Sequence, residues 1–201
     1  LLTNNAIDNI YEYITPINGI KQGDYNPIVK LVAPEKLQIA IINGDYIPNE
    51  KTNVTFEIAS SKNDKNLFST IDDNNNDGIA AKISTSNQLM KNKLWEIYAK
   101  ANLDYIDKDF QSIETIYNPE FNRDWNLDSL TSYSYINQVK NQLLIQGGIN
   151  LINKKIGEIK YNYENLKFEK EYNGIRQQLD LNLKNKNIDY TSNSSILNSE
   201  S

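Results

Sequence analysis

The stretch that decides the fold runs from Lys36 to Leu103. It reads KLQIAIINGDYIPNEKTNVTFEIAS over 36–60, LFSTIDDNNNDGIAAKISTS over 67–86 and KLWEIYAKANL over 93–103. Leu37, Ile39 and Ile41 alternate with Gln38, Ala40 and Ile42, and Val54, Phe56 and Ile58 alternate with Thr55, Glu57 and Ala59. Ile79, Ala81 and Ile83 then alternate with Ala80, Lys82 and Ser84, and Trp95, Ile97, Ala99 and Ala101 with Leu94, Glu96, Tyr98 and Lys100. A period of two is how a strand with two different faces is written. Asn43-Gly44-Asp45 and Asp72–Gly78 are expected to be its turns. Strands this short of partners need each other, so residues 30–103 are expected to form an antiparallel β-sandwich with Trp95 in its core.

Outward from that stretch the pattern changes. Residues 1–29 read as a lead-in with a short helix on Ile7, Ile10, Tyr11 and Ile14, stopped by Pro16 and Gly19, and a short strand is expected at Ile28–Val32. Residues 104–127 form an aromatic-rich connection. Over 128–186 apolar residues recur at spacings of three and four: Ile136, Val139, Leu143, then Ile149, Ile152, Ile156, Ile159, Tyr163 and Leu166, then Ile175, Leu179 and Leu183. That spacing predicts an amphipathic helical hairpin or bundle, broken or kinked at Gly147-Gly148. The polar tail 187–201 is expected to be disordered. The expected fold class is α+β, a β-sandwich followed by helices.

Composition excludes several chemistries. The chain of 201 residues has no histidine and no cysteine. Ser-His triads, thiol catalysis, disulfides and almost all zinc sites are therefore absent. The net charge of −5 argues against nucleic acid as a partner. No run of about 18 apolar residues is present, so no transmembrane helix is expected. The opening LLTNNAIDN carries neither a signal sequence nor an initiator Met, and a trimmed leader or lipid-bearing cysteine upstream is expected.

Four constellations stand out. Asp73, Asn75 and Asp77 with Gly78 match the first half of a calcium loop, but Ser84 occupies the twelfth position, where a glutamate is needed. The competing reading is a hairpin turn with no cofactor. Tyr117, Trp125 and Tyr133 are either the seam on which the helices dock or anchors of a partner-binding patch. The stripe Ile149, Ile152, Ile156, Ile159, Tyr163 and Leu166 is a helix interface, packing within the chain or driving a weak dimer. Carboxylate pairs such as Glu164 and Glu169 read as solvated helix surface, not as acid and base.

On the residues Val54-Thr55-Phe56, Thr70-Ile71-Asp72 through Gly78-Ile79-Ala80, and Trp95 to Ala101, about a third of the chain resembles a bacterial immunoglobulin-like domain of the invasin/intimin type. The resemblance implies a display scaffold with no catalytic residues. In its Asn/Ile/Lys-rich style the chain also resembles the outer-surface lipoproteins of Lyme-disease spirochaetes, which implies a lipid anchor at the outer membrane. The function expected is non-enzymatic: a cell-surface lipoprotein engaging host or extracellular macromolecules. The alternative is an assembly subunit self-associating through its C-terminal helices.

Overall fold

The computed structural model describes residues 13–23, 32–71, 73–127 and 140–200. The chain divides into two units, residues 1–33 and 34–201. In the first, Ile17 and Ile20 form a small antiparallel bridge around Asn18 and Gly19, both at positive φ. Such residues suit the tight turns of β-hairpins. The expected helix on Ile7, Ile10 and Tyr11, and residues 28–31 of the expected strand, lie outside the described residues, while Ile14 and Val32 belong to no helix or strand.

The second unit is one antiparallel sheet of eight strands whose spatial order is their chain order. The strands are β1 (Lys36–Asn49), β2 (Thr52–Asp64), β3 (Asp77–Lys91), β4 (Trp95–Ile106), β5 (Gln142–Asn153), β6 (Gly157–Phe168), β7 (Tyr172–Asn185) and β8 (Ile188–Glu200). The only helix among the described residues longer than a single 3-10 turn is α1 (Phe121–Asp124). The α+β expectation, with its helical bundle, is thus corrected, while the β-rich character expected of residues 30–103 holds and extends to the end of the sheet. There is one continuous sheet, and residues 142–185 supply three of its strands and most of the space given to helices. The tail expected to be disordered is β8, paired along its length with β7. Gly147 and Gly148 pair with Ala101 and Lys100 in mid-strand, and Asn43-Gly44-Asp45 lies inside β1 and makes no turn.

Asparagine sets the turns. The Asn49 carboxamide oxygen accepts from the Lys51 backbone N–H, and that of Asn92 accepts from Leu94 and Trp95. Asn153 repeats this with Lys155 and Ile156, and Gly157 follows at φ 122°. Such Asx turns close hairpins locally. Connections at this end of the sheet are all short: 50–51, 92–94, 154–156 and 186–187. At the opposite end they run over 65–76, 107–141 and 169–171, so both long connections lie there.

The register shears steadily. The row of paired residues that starts at Ile42, mid-β1, passes Ile58, Ala81, Tyr105, Leu143, Lys167 and Asn173 and arrives at Glu200, the end of β8. A stagger of about one residue per strand corresponds to a strand tilt of roughly 36° when such a sheet rolls up.

The two faces differ chemically, and each row of partners keeps to one face. One face carries Ile42, Phe56, Ile58, Ile83, Leu103, Ile145, Ile149, Leu151, Ile159, Leu179 and Leu181, diluted toward the long-connection end by Asn165 and Lys167 of β6 and Asn173 and Gln177 of β7, and by serines, asparagine and Glu200 in β8. This apolar face is open: Ile83 is 48% exposed, Ile149 47% and Leu103 39%. Trp95, expected in the core, belongs to it and is also exposed. The other face is polar, and there residues 107–127 fold back across the sheet. The core is built on that side, from Phe121, Trp125 and Leu127 on Leu144, Leu166, Phe168 and Tyr172.

Candidate functional site

The site is the polar face beneath the infolded segment. One row of it reads Thr55, Ser84, Asn102, Gln146, Glu164, Arg176 across β2 to β7. Its last four members are linked in sequence. Asn102 Nδ2 donates to Gln146 Oε1 at 3.0 Å, Gln146 Nε2 donates to Glu164 Oε1 at 2.7 Å, and Arg176 Nε donates to Glu164 Oε2 at 2.6 Å. Arg176 then reaches Asp124 of the infolded segment through Nη1 at 3.1 Å, and its guanidinium lies 4.7 Å from the Trp125 ring centroid. Charge-assisted bonds and a cation–π contact, all partly shielded from water, hold the segment to the strands.

Other contacts fix the same segment. The Tyr172 hydroxyl donates to the Trp125 carbonyl at 2.5 Å, Gln142 Nε2 donates to the Tyr117 hydroxyl, and Tyr117 stacks on Phe121 with ring centroids 3.9 Å apart. At its start the Gln111 backbone N–H donates to Ser61 Oγ at 2.9 Å. Gly78 makes room for it, because a Cβ there would lie 2.2 Å from the Phe110 nitrogen. Elsewhere the polar face pairs its own charges, Lys82 with Asp104, Lys154 with Glu96 and Lys160 with Glu158.

The residues singled out from sequence fall as follows. Trp125 is 1% exposed and Tyr117 half-buried, both in the seam between segment and sheet; Tyr133 lies outside the described residues. Asp73 and Asn75 sit in a 3-10 turn, where Asp73 Oδ1 accepts from Asn76 Nδ2 at 2.9 Å, and Asp77 opens β3. Among the described residues no group of three or more acidic side chains is placed to hold a metal. The helical stripe is corrected. Ile149, Ile159 and Tyr163 lie on the apolar face, Ile152 and Leu166 on the polar face, and Ile156 in the hairpin between them. Glu164, read as solvated, is 6% exposed and central. Sequence reasoning missed Asn102, Gln146, Arg176 and Asp124; the only trace of the first three was their place on the polar side of their strands, and Asp124, at the end of α1, left none. Comparison with protein-family models, curated proteins and solved structures finds no match.

Proposed function

We propose that this sheet is part of the wall of a membrane-spanning β-barrel, its apolar face against lipid and its polar face lining a water-filled passage that the infolded segment narrows. One observation carries the reading: among the described residues the infolded segment packs on the polar face, while the apolar face is exposed. A chain folding in water gains most by covering its apolar face, and soluble monomers rarely expose contiguous apolar patches beyond a few hundred Å². Lipid reverses that preference.

The rest of the architecture supports it. Next-neighbour antiparallel strands with short turns at one end and long connections at the other are the pattern of transmembrane barrels. The strands have 12 to 15 residues, more than the roughly 9–11 a tilted strand needs to cross a bilayer. Tyr46, Trp95 and Tyr190 lie on the apolar face toward the short-turn ends of β1, β4 and β8, with Lys51, Lys93, Lys154, Lys155 and Lys186 in or beside the turns. Aromatic rings and lysines suit a membrane–water interface. No helix among the described residues is long and apolar enough to cross a membrane, which says nothing of crossing by strands.

A closed barrel of eight strands is just wide enough to be filled by its own side chains. Here the polar face also seats Phe121, Trp125 and Leu127 with α1. The sheet is therefore best read as an arc of a wider wall, closed when its edges β1 and β8 pair with those of further copies of this chain. The proposal keeps the non-enzymatic, outer-membrane reading of the sequence, with strands in place of a lipid anchor as the attachment. The buried Trp125 favours a passage over an exposed adhesive patch. Planar-bilayer recording tests it. The chain folded from detergent is expected to give stepwise ion currents, and a protein that partitions into buffer and leaves the bilayer silent would refute the reading.

A further inference from the structure

Beside the ladder of Asn102, Gln146 and Glu164 the polar face holds a groove of about 460 Å³. It spans β2 to β6, and Asn53, Thr55, Ser84, Ser86, Lys100 and Asn162 reach into it. We propose that this groove binds neutral, polyhydroxylated solutes of the oligosaccharide class. The inference rests on the pore reading for access to the groove, while the binding itself is measurable without a pore.

The charge balance favours a neutral ligand. The groove's charged groups are Lys100 and Glu164, and Glu164 is already engaged by Arg176 and Gln146. A cation site would need an uncompensated carboxylate, and Lys100 is a single point charge beside a row of neutral amides and hydroxyls, which is the larger part of the lining. What remains is a row of amides and hydroxyls. Asn53, Thr55, Ser84, Ser86 and Asn162 make no side-chain hydrogen bond to another described residue. Amides and hydroxyls both donate and accept, as the adjacent hydroxyls of a sugar require. Gly148 shapes the floor: a Cβ there would stand 2.5 Å from Asn162 Oδ1, so its absence lets the carboxamide lie across β5. Direct and water-bridged hydrogen bonds in so open a groove give roughly millimolar affinity.

The test is equilibrium dialysis of the full chain, folded in a zwitterionic detergent without a sugar headgroup, against labelled raffinose. Citrate and spermidine serve as charged probes. Raffinose is expected to be retained and the charged probes not. Asn162→Leu, which removes one side chain's pair of hydrogen bonds, is expected to weaken retention about tenfold. Gly148→Val fills the floor and is expected to abolish retention while circular dichroism and Trp125 fluorescence stay unchanged. The proposal is overturned if the folded chain does not retain raffinose, if Gly148→Val retains it equally, or if citrate or spermidine is preferred. Retention without bilayer currents would sink the pore reading alone, and currents without retention would sink this site alone.

Discussion

Arg176 is where the strands and the infolded segment meet electrically. Its guanidinium answers Glu164, a buried carboxylate, and Asp124 at the end of α1. Removing one partner of a buried pair leaves the other charge uncompensated, whereas replacing both with apolar groups is close to neutral. Arg176→Met is therefore expected to lower the unfolding free energy by about 3 kcal/mol, and Arg176→Met/Glu164→Met to recover most of it. Urea titration of the detergent-folded chain, followed by tryptophan fluorescence, checks this; equal losses in single and double variants would show that the pair is not coupled. None of this was legible in the sequence. Glu164 stands among polar residues at positions that suggest a wet helix surface. Its true neighbours come from positions 146 and 176, brought together by pairing across strands. The seam residues fared differently. The aromatics Tyr117 and Trp125 announce a docking region by their size, and that is where they are found, though on a sheet instead of helices.

At the scale of elements, the two faces of each strand make opposite predictions for neighbouring residues. Ile83 and Ser84 are adjacent at the middle of β3, one on the apolar face and one on the polar face. Ile83→Arg is expected to cost about 2–4 kcal/mol of stability in lipid bilayers, the range for a cation at mid-membrane on a barrel wall. Ser84→Arg, pointing into water, is expected to change stability by less than about 0.5 kcal/mol. Urea unfolding from vesicles measures both, and equal costs would contradict the assignment of faces. Alternation made β2 to β4 readable, since Ile, Val and Ala there are separated by Thr, Lys and Ser; in β1 it misled, because Ile39 and Ile41 lie on the polar face and the expected turn at Asn43-Gly44-Asp45 is strand. It failed after Gln142, because a spacing of three and four was traced across a hairpin. Ile149, Leu151, Ile159, Tyr161 and Tyr163 share the apolar face at a period of two, interrupted by Asn153-Lys154-Lys155-Ile156-Gly157. That turn was the missed signal, because asparagine ahead of lysine recurs in it as in the turn that begins at Asn92. In a chain so rich in asparagine such a turn does not stand out from its background. β8 carries few apolar residues, so its strand character comes from the β7 edge it pairs with.

For the whole molecule, the proposed barrel wall turns on whether the apolar face meets lipid. The chain has two tryptophans, and they report on opposite faces. Trp95 sits on the apolar face toward the short-turn end of β4, while Trp125 is buried beneath the infolded segment on the polar face. Composition gives no hint of such a wall, since an apolar share of 39% and no long apolar run look like an ordinary soluble domain. A membrane strand places only every second residue in lipid, so the apolar signal is halved along the chain. The measurement that tests the central claim most directly is fluorescence quenching in vesicles of lipids brominated along the acyl chain, using Trp125→Phe and Trp95→Phe so that each tryptophan is read alone. Strong quenching of Trp95 with little quenching of Trp125 is the predicted result. An unquenched Trp95 in vesicle-bound, folded protein would contradict the account and mean that the apolar face is covered by something other than lipid.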